Sequence, residues 1–475
     1  MYSPTIGLEI HAELKTKTKM FCDCANNPDE MQPNVHICPI CMAHPGTLPV
    51  INKEAVRHIL RVGAALKGEL ADFSEFDRKS YFYPDIPKGY QISQYKHPLV
   101  TGGELLGIAI TRVHLEEDTA RSTHTDGKSL VDFNRAGIPL MELVTEPVLK
   151  DAEMAGRFAR ELQLLLRTLG ASEANLEKGE MRIEANISVS AEEGKFGTKV
   201  EVKNINSFRS VERAIAFETD RQVALIASGG KVVQETRGWD ETKQVTFHQR
   251  FKEGSADYRY FPEPDLPKLF IREMPEFSLD NLRAELPELP WERRVRYESL
   301  GIRKEYTDVL MQDTHINAMF EGVIQHAPKN DAALISLAAN YIVSDIVGFM
   351  QDSTAESKPS HTSTEEFYES FMALMQMIKD EEVSSRGAKD ILAKMYRIGG
   401  NPKVIAEEHG LIQSHDVEVL LAAVRSVLME EVKAVGEYRA GKEAALQYLI
   451  GKSMRATKGA GNPAMLKDLI LKELS

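Results

Sequence analysis

Two prolines, Pro287 and Pro290 in LPELPWERRVRYESLG, separate two sequence regimes that no single kind of element can satisfy. Before them, short segments alternate apolar and polar residues with a period of two. Gly, Pro and Asp clusters break these segments, as half-buried strands require. After them the pattern becomes almost wholly helical. The fold class expected is therefore α+β, a large mixed, mainly antiparallel body followed by helical C-terminal domains. Two helices interrupt the β region. One runs from about Asp151 to Leu169 and stops at Gly170; the other runs from about Ser207, a candidate N-cap, to Ala227, with Gly229 and Gly230 as the stop. A Ser-, Thr- and charge-rich break from Ser353 to Ser363 reads as a mobile loop. Gly399-Gly400-Asn401-Pro402 reads as a hinge. No fixed-period repeat is present.

The chain has 475 residues, too many for one core, so two or three domains are expected. Hydrophobic residues make up 43%, which argues against a disordered chain. No run of about 18 uncharged apolar residues occurs, so no membrane-spanning helix is expected. The start, MYSPTIGLEIHAELK, carries charges within its apolar stretch and reads as a folded strand rather than a signal peptide, which makes the cytoplasm the expected location. A net charge of −13 disfavours a nucleic-acid partner for the chain as a whole. The end differs. From Gly441 on, Lys442, Lys452, Arg455, Lys458, Lys467 and Lys472 face Glu443, Asp468 and Glu473, six positive against three negative, a local +3. A small basic module could touch a nucleic acid there, and a solvated helical tail accounts for the same charges.

Within TIGLEIHAEL, Ile6, Leu8, Ile10, Ala12 and Leu14 share one strand face, while Glu9, His11 and Glu13 share the other. Two carboxylates around an imidazole can ligate a divalent cation or share a proton, and the same pattern fits the polar outer face of an amphipathic strand. Glu142 breaks the otherwise apolar PLMELV, and such a carboxylate is costly unless paired or metal-bound. Glu117 in TRVHLEED has the parity of Val113 and Leu115. A bound Mg²⁺ would offset the cost of gathering these groups, with His11 a less usual ligand for it.

All four cysteines, Cys22, Cys24, Cys38 and Cys41, fall within twenty residues as C-x-C and C-x2-C pairs. That clustering favours a structural, tetrahedral Zn²⁺ site over disulfides, with His36 and His44 as spare ligands. Four thiolates leave no open position for catalysis.

MRIEANISVS, a turn and KVEVKN form a hairpin pattern whose polar wall is Arg182, Glu184, Asn186, Glu201 and Lys203. The helix beginning at Ser207 follows directly, and its free N–H groups suit a phosphate. An exposed polar sheet face with an ordinary capped helix would give the same pattern. No P-loop or G-x-G-x-x-G accompanies these strands, so any nucleotide is held by side chains and a helix end.

FDRKSYFYPDIPKGYQISQ, from Phe76 to Gln94, resembles the signature of the B-subunit family of aspartyl/glutamyl-tRNA(Asn/Gln) amidotransferases. The resemblance extends through IGLEIHAEL, VHLEED, SLVDFNRAGIPLMELVTEP, MRIEANIS, KVEVKNINSF, QETRGWD, DYRYFPEPDLP and KGAGNP, nearly the whole chain. It implies a heterotrimer in which an amidase-type A subunit hydrolyses glutamine and a small C subunit clasps the pair. The B subunit uses ATP to phosphorylate the side-chain carboxylate of Glu-tRNA(Gln) or Asp-tRNA(Asn), and ammonia from A attacks the acyl phosphate. It further implies a cradle domain at 1–289, a helical domain at 290–400 and a tRNA-binding tail at 401–475, with 330–475 together YqeY-like. The chain lacks room for the extra domain of the archaeal glutamyl-specific relative. By the same resemblance, His11, Glu117 and Glu142 hold Mg²⁺ at the reaction centre with Glu9 close by. Lys79, Tyr81, Arg182, Glu184, Asn186, Lys203, Asn204 and Ser207 bind ATP and substrate.

Two readings from other classes compete. A non-catalytic tRNA-binding scaffold gains nothing from gathered acidic residues. A zinc metallohydrolase lacks any HExxH or open histidine-rich zinc set.

Overall fold

The computed structural model describes residues 2–192, 194–251, 258–328, 331–352, 359–413, 417–457 and 461–474. Contacts within the chain define two compact units, Met1–Pro290 and Trp291–Ser475. The strands of the first are β1 Ser3–Glu13, β2 Glu69–Leu70, β3 Asp77–Ser80, β4 Tyr90–Ser93, β5 Val100–Thr101, β6 Glu104–Leu105, β7 Ile108–Glu117, β8 Arg121–Thr125, β9 Lys128–Asp132, β10 Pro139–Thr145, β11 Met181–Ser190, β12 Val200–Ile205, β13 Glu235–Asp240, β14 Val245–Phe251 and β15 Phe261–Pro262. The main sheet runs β14-β13-β12-β11-β1-β10-β7-β5-β2, with β6 paired to β7. Among the described residues, only β12 and β13 pair in parallel. A three-stranded sheet, β15-β3-β4, and the β8-β9 hairpin complete the unit.

The apolar face of the main sheet carries Ile6, Leu8, Ile10 and Ala12, all at most 1% exposed. Helices α1 Lys53–Ala65, α2 Ala152–Thr168, α3 Phe208–Ala227 and α4 Leu279–Ala284 belong to the same unit. α2 packs on α3, and α3 on β11 and β12. The helix boundaries follow their caps. Asp151 accepts from the Met154 amide at the start of α2, and Ser207 accepts from the Ser210 amide at the start of α3.

The second unit is helical: α5 Pro290–Ser299, α6 Lys304–Gln312, α7 Thr314–Gln325, α8 Ala332–Tyr341, α9 Val347–Asp352, α10 Glu365–Lys379, α11 Ser385–Ile398, α12 Pro402–Glu408, α13 Val417–Glu430, α14 Val432–Arg439, α15 Glu443–Ala456 and α16 Pro463–Leu474. At the expected hinge, Gly399 and Gly400 take positive φ and Asn401 caps α12. Of the break expected from Ser353, residues 353–358 lie outside the described residues, and Ser360–Ser363 form a 3₁₀ turn. By length and composition the helical run Ala332–Gln351 could cross a membrane, because an averaged window tolerates Asp345. A packed core helix passes the same test, and α8 packs on α7 and α10 while Asp345 binds Lys389 at 2.7 Å.

Leu420, Val424, Leu449, Leu466 and Ile470 form the core of the last four helices. The basic excess of this tail is partly spent there: Lys452 pairs with Glu431 at 2.6 Å and Lys442 with Glu437 at 3.7 Å. Lys458 lies outside the described residues.

Candidate metal and nucleotide site

β1 lies between β11 and β10, and its register decides which side chains meet. His11 stands opposite Arg182 on one side and Glu142 on the other; Glu9 stands opposite Glu184 and Val144. In the next strand, His114 stands opposite Glu142 and Glu116 opposite Leu140. Directly opposed residues share a face. Glu9, His11, His114, Glu116, Glu142, Arg182 and Glu184 therefore rise from the polar face, back to back with the core.

The groups converge. His11 Nε2 lies 3.4 Å from Glu142, 3.7 Å from Glu116 and 4.0 Å from Glu9. His114 Nε2 lies 3.3 Å from Glu142 and 3.9 Å from Glu116. Arg112 approaches Glu142 at 3.4 Å, and Ser93 donates to Glu116 at 3.0 Å. Donor atoms of Glu9, His11 and Glu142 form one group close enough to hold an ion, and those of His114, Glu116 and Glu142 form a second that shares Glu142. Charge balance is tight. Burial opposes the His11 imidazolium, yet Glu142, Glu116 and Glu184 outweigh it and raise its pKa to about 9. Burial also opposes the Glu142 carboxylate, and the two histidines hold it well below the usual range. Glu9 goes the other way, raised by burial and by the neighbouring carboxylates of Glu142 and Glu184.

Glu117 does not join this cluster. It stands opposite Pro139 with the parity of Val113 and Leu115, so its carboxylate lies on the other face. There it takes Lys88 Nζ at 2.6 Å and the Ile92 amide at 2.9 Å. Glu116 occupies the place expected for Glu117. The alternation in TRVHLEE held the signal, since Arg112, His114 and Glu116 are its polar set.

The polar wall borders the cluster. Lys203 binds both oxygens of Glu184 at 2.7 Å, and Asn186 stands opposite Glu201 with its buried Oδ1 unpartnered. Arg182 donates to Asp118 at 2.6 Å, and Asp118 stays ionised because Arg182 and Arg135 outweigh its burial. Glu13, beside them, is pushed up to about 8 by burial and by Asp118. Lys79, on β3, is half-buried; its ammonium is stabilised by Glu116, Tyr260 and Glu142 against desolvation. Tyr81 is raised mainly by burial. Asn204 is exposed with a positive φ. Ser207 is committed to capping α3. Beyond it, the Glu241 carboxylate, held by Ser210 and Trp239 at 2.6 Å each, places a negative charge near that helix start. A phosphate at the α3 N-terminus meets that charge.

The four cysteines are unpaired thiols whose sulfur atoms all lie within 4.8 Å of one another. Cys41 Sγ is 3.9 Å from Cys38 Sγ and 4.0 Å from Cys24 Sγ. A tetrahedron with Zn–S bonds of about 2.3 Å has edges of about 3.8 Å, so the donors fit that ion. His36 and His44 are not part of the group. The Cys22 hydrogen bond pulls the Cys41 thiol down to about 5, against burial and with help from Lys19. Lys19 is fully buried, with its ammonium 3.9 Å from Cys41 Sγ and donating to the carbonyls of His36 and Phe133. A cavity of about 190 Å³ is lined by Cys22 and Cys41 and by the Lys88–Glu117 pair.

A family model described as the GatB/GatE catalytic domain matches residues 4–275, and one described as the GatB domain matches residues 318–474. The B subunit of the aspartyl/glutamyl-tRNA(Asn/Gln) amidotransferase of Thermus thermophilus is 42% identical over 478 residues, covering 100% of this chain and 99% of that protein. Its counterpart in Caldicellulosiruptor saccharolyticus is 40% identical over 486 residues, with the same coverage. The B subunit of the chloroplastic/mitochondrial glutamyl-tRNA(Gln) amidotransferase of Physcomitrium patens is 40% identical over 497 residues, covering 100% of this chain and 86% of that protein.

Proposed function

Because the chain belongs to the amidotransferase B-subunit family, we propose that its carboxylate–histidine cluster is where ATP phosphorylates the side-chain carboxylate of Glu-tRNA(Gln) or Asp-tRNA(Asn). Ammonia, released from glutamine by an amidase-type A subunit, then displaces phosphate to give the amide. A small C subunit completes the heterotrimer, and the setting is cytoplasmic. The observation that carries the reading is the convergence of Glu9, His11, Glu116 and Glu142 from three adjacent strands beside the half-buried Lys79. Mere binding of an anionic tRNA would be opposed by gathered acid, whereas phosphoryl transfer needs charge neutralised at fixed positions.

The donor set fits a divalent cation. Three carboxylates are the hard oxygen ligands that Mg²⁺ prefers, and the His11 imidazole that now pairs with Glu142 would have to give up its extra proton. Such an ion would supply electrostatic neutralisation of phosphate oxygens. The protein's own groups then do the positioning. Lys79 presents its ammonium to the transferred phosphoryl group. Arg182, held by Asp118, and Lys203, held by Glu184, line the wall along which the nucleotide would lie, with Asn186 offering its free Oδ1 as an acceptor. Tyr81 and Asn204 flank this region, and Ser207 contributes by fixing the start of α3. Glu117 falls outside the set. The cysteines suit one structural Zn²⁺ per chain, with the Lys19 ammonium balancing part of the tetrathiolate charge.

The test is Glu142→Gln in the assembled complex. Losing one charged ligand should cost on the order of 3 kcal/mol of transition-state stabilisation, roughly a hundredfold in rate. tRNA-dependent ATP hydrolysis and amide formation should fall by that factor while tRNA binding persists. Near-parent rates of both reactions would locate the chemistry elsewhere, and the wall around Arg182 and Lys203 would become the better site. ATP turnover with and without Glu-tRNA(Gln) separates this reading from a scaffold role.

A further inference from the structure

Five tyrosines form a continuous row around the small β15-β3-β4 sheet. Tyr83 meets Tyr81 at 6.3 Å between ring centroids, Tyr81 meets Tyr258 at 6.0 Å, and Tyr258 meets Tyr260 at 6.0 Å. Tyr260 stacks on Tyr95 at 4.2 Å with only 11° between the ring planes. The two ends are open, Tyr83 at 63% and Tyr95 at 58% exposure. The middle is not. Lys79 Nζ lies 5.1 Å from the Tyr258 centroid, and Glu116, Tyr260 and Glu142 stabilise its charge against burial. The row therefore leads from the carboxylate–histidine cluster to solvent.

Rings that serve only as packing turn their area inward, and this row leaves its terminal rings uncovered. Tyrosine faces are the surface on which unpaired nucleobases stack, and the exposed Lys96 beside Tyr95 adds the positive charge that a phosphodiester backbone seeks. One adenine from a mononucleotide would cover one ring. A succession of rings matches a succession of bases. We infer that the row receives the unpaired 3′ nucleotides of the charged tRNA, and that Tyr95 stacks a base there. The terminal ribose, with its esterified amino acid, then lies toward Lys79 and the cluster. The inference rests on the proposed function, because the amino acid must arrive where its carboxylate is phosphorylated.

The experiment uses the assembled complex with Tyr95→Ala and Tyr95→Phe. Loss of one stacked base should raise KM for charged tRNA about tenfold in Tyr95→Ala and leave KM for ATP at the parent value. Tyr95→Phe, which keeps the ring, should stay near parent. Binding of tRNA trimmed of its unpaired 3′ nucleotides should then be equally weak in parent and Tyr95→Ala, since the contact is already gone. Tyr83→Ala, at the other exposed end, gives the same comparison should Tyr95→Ala misfold. A rise in KM for ATP alone would overturn the inference in favour of the nucleotide's adenine. Unchanged constants for both would reduce the row to packing. A parent complex that forms no amide on charged tRNA would refute the proposed function itself, a result distinct from either.

Discussion

Glu142→Gln also makes a prediction that requires neither partner nor substrate. In metal-free protein, His11 stands at about 9 against an ordinary 6.5, because buried carboxylates favour its charged form more than desolvation disfavours it. That gap is worth between about 3 and 4 kcal/mol, taking roughly 1.4 kcal/mol per pH unit. Glu142 makes the largest favourable contribution, and Glu116 and Glu184 remain after the substitution. The His11 pKa should therefore fall by at least about one pH unit, a loss of about 1.4 kcal/mol. The sign follows from linkage. A histidine raised in the folded state contributes its full stabilisation below its unfolded pKa and loses it as pH rises through the folded value. Parent and variant should thus differ most near pH 6 and least at pH 10. Glu142 is itself held low, so it is charged throughout that window. Urea unfolding at the two pH values measures the difference, and NMR titration of the imidazole measures the pKa. Equal destabilisation at both pH values, or a His11 titration that stays near 9, would refute the geometry of the cluster.

Three other outcomes follow. Glu116→Gln should weaken Mn²⁺ or Mg²⁺ binding to the isolated chain at least tenfold, whereas Glu117→Gln should leave it within about twofold; calorimetry compares the two directly. Elemental analysis of protein purified without chelator should find one zinc per chain, and Cys38→Ser should lower thermal stability more than specific activity. Deleting the chain from about Gly400 should raise KM for charged tRNA at a stated salt concentration while glutamine hydrolysis by the partner survives. The salt dependence should be shallow, because Lys452 and Lys442 are already paired with glutamates.

Much of the architecture was legible because local rules and tertiary structure agree. Alternation in TIGLEIHAEL and MRIEANISVS gave the faces of β1 and β11 correctly, and Asp151 and Ser207 sit at helix starts in the capping roles their side chains suit. Pairing of strands distant in sequence was not legible. That β1 lies between β10 and β11 depends on contacts across more than 120 residues, for which neither periodicity nor turn chemistry carries a signal. The tail shows the same limit for charge: a count from Gly441 onward omits Glu431 and Glu437, which precede that point in sequence yet neutralise two of its lysines in space.

The exchange of Glu116 for Glu117 shows how far strand parity can be pressed. In β7, parity alone places Glu117 with Val113 and Leu115, on the side opposite any group shared with His11 and Glu142. Joining them would need a bulge to shift the register by one residue. β7 does slip against β10, but between Val144 and Thr145, at the far end from Glu117. Near Glu117 the pairing is regular, so Glu116 must face the cluster. The resulting division of labour is chemical as well as geometric. Glu116 is gathered with two histidines and a second carboxylate, a set of donor atoms close enough to accept a cation. Glu117 is bound by the Lys88 ammonium and the Ile92 amide, in the wall of the cavity that the cysteine cluster also lines. A carboxylate satisfied in that way gains little from a metal. The two adjacent glutamates therefore serve opposite faces of one strand, and replacing them singly should separate cation binding from the integrity of that cavity.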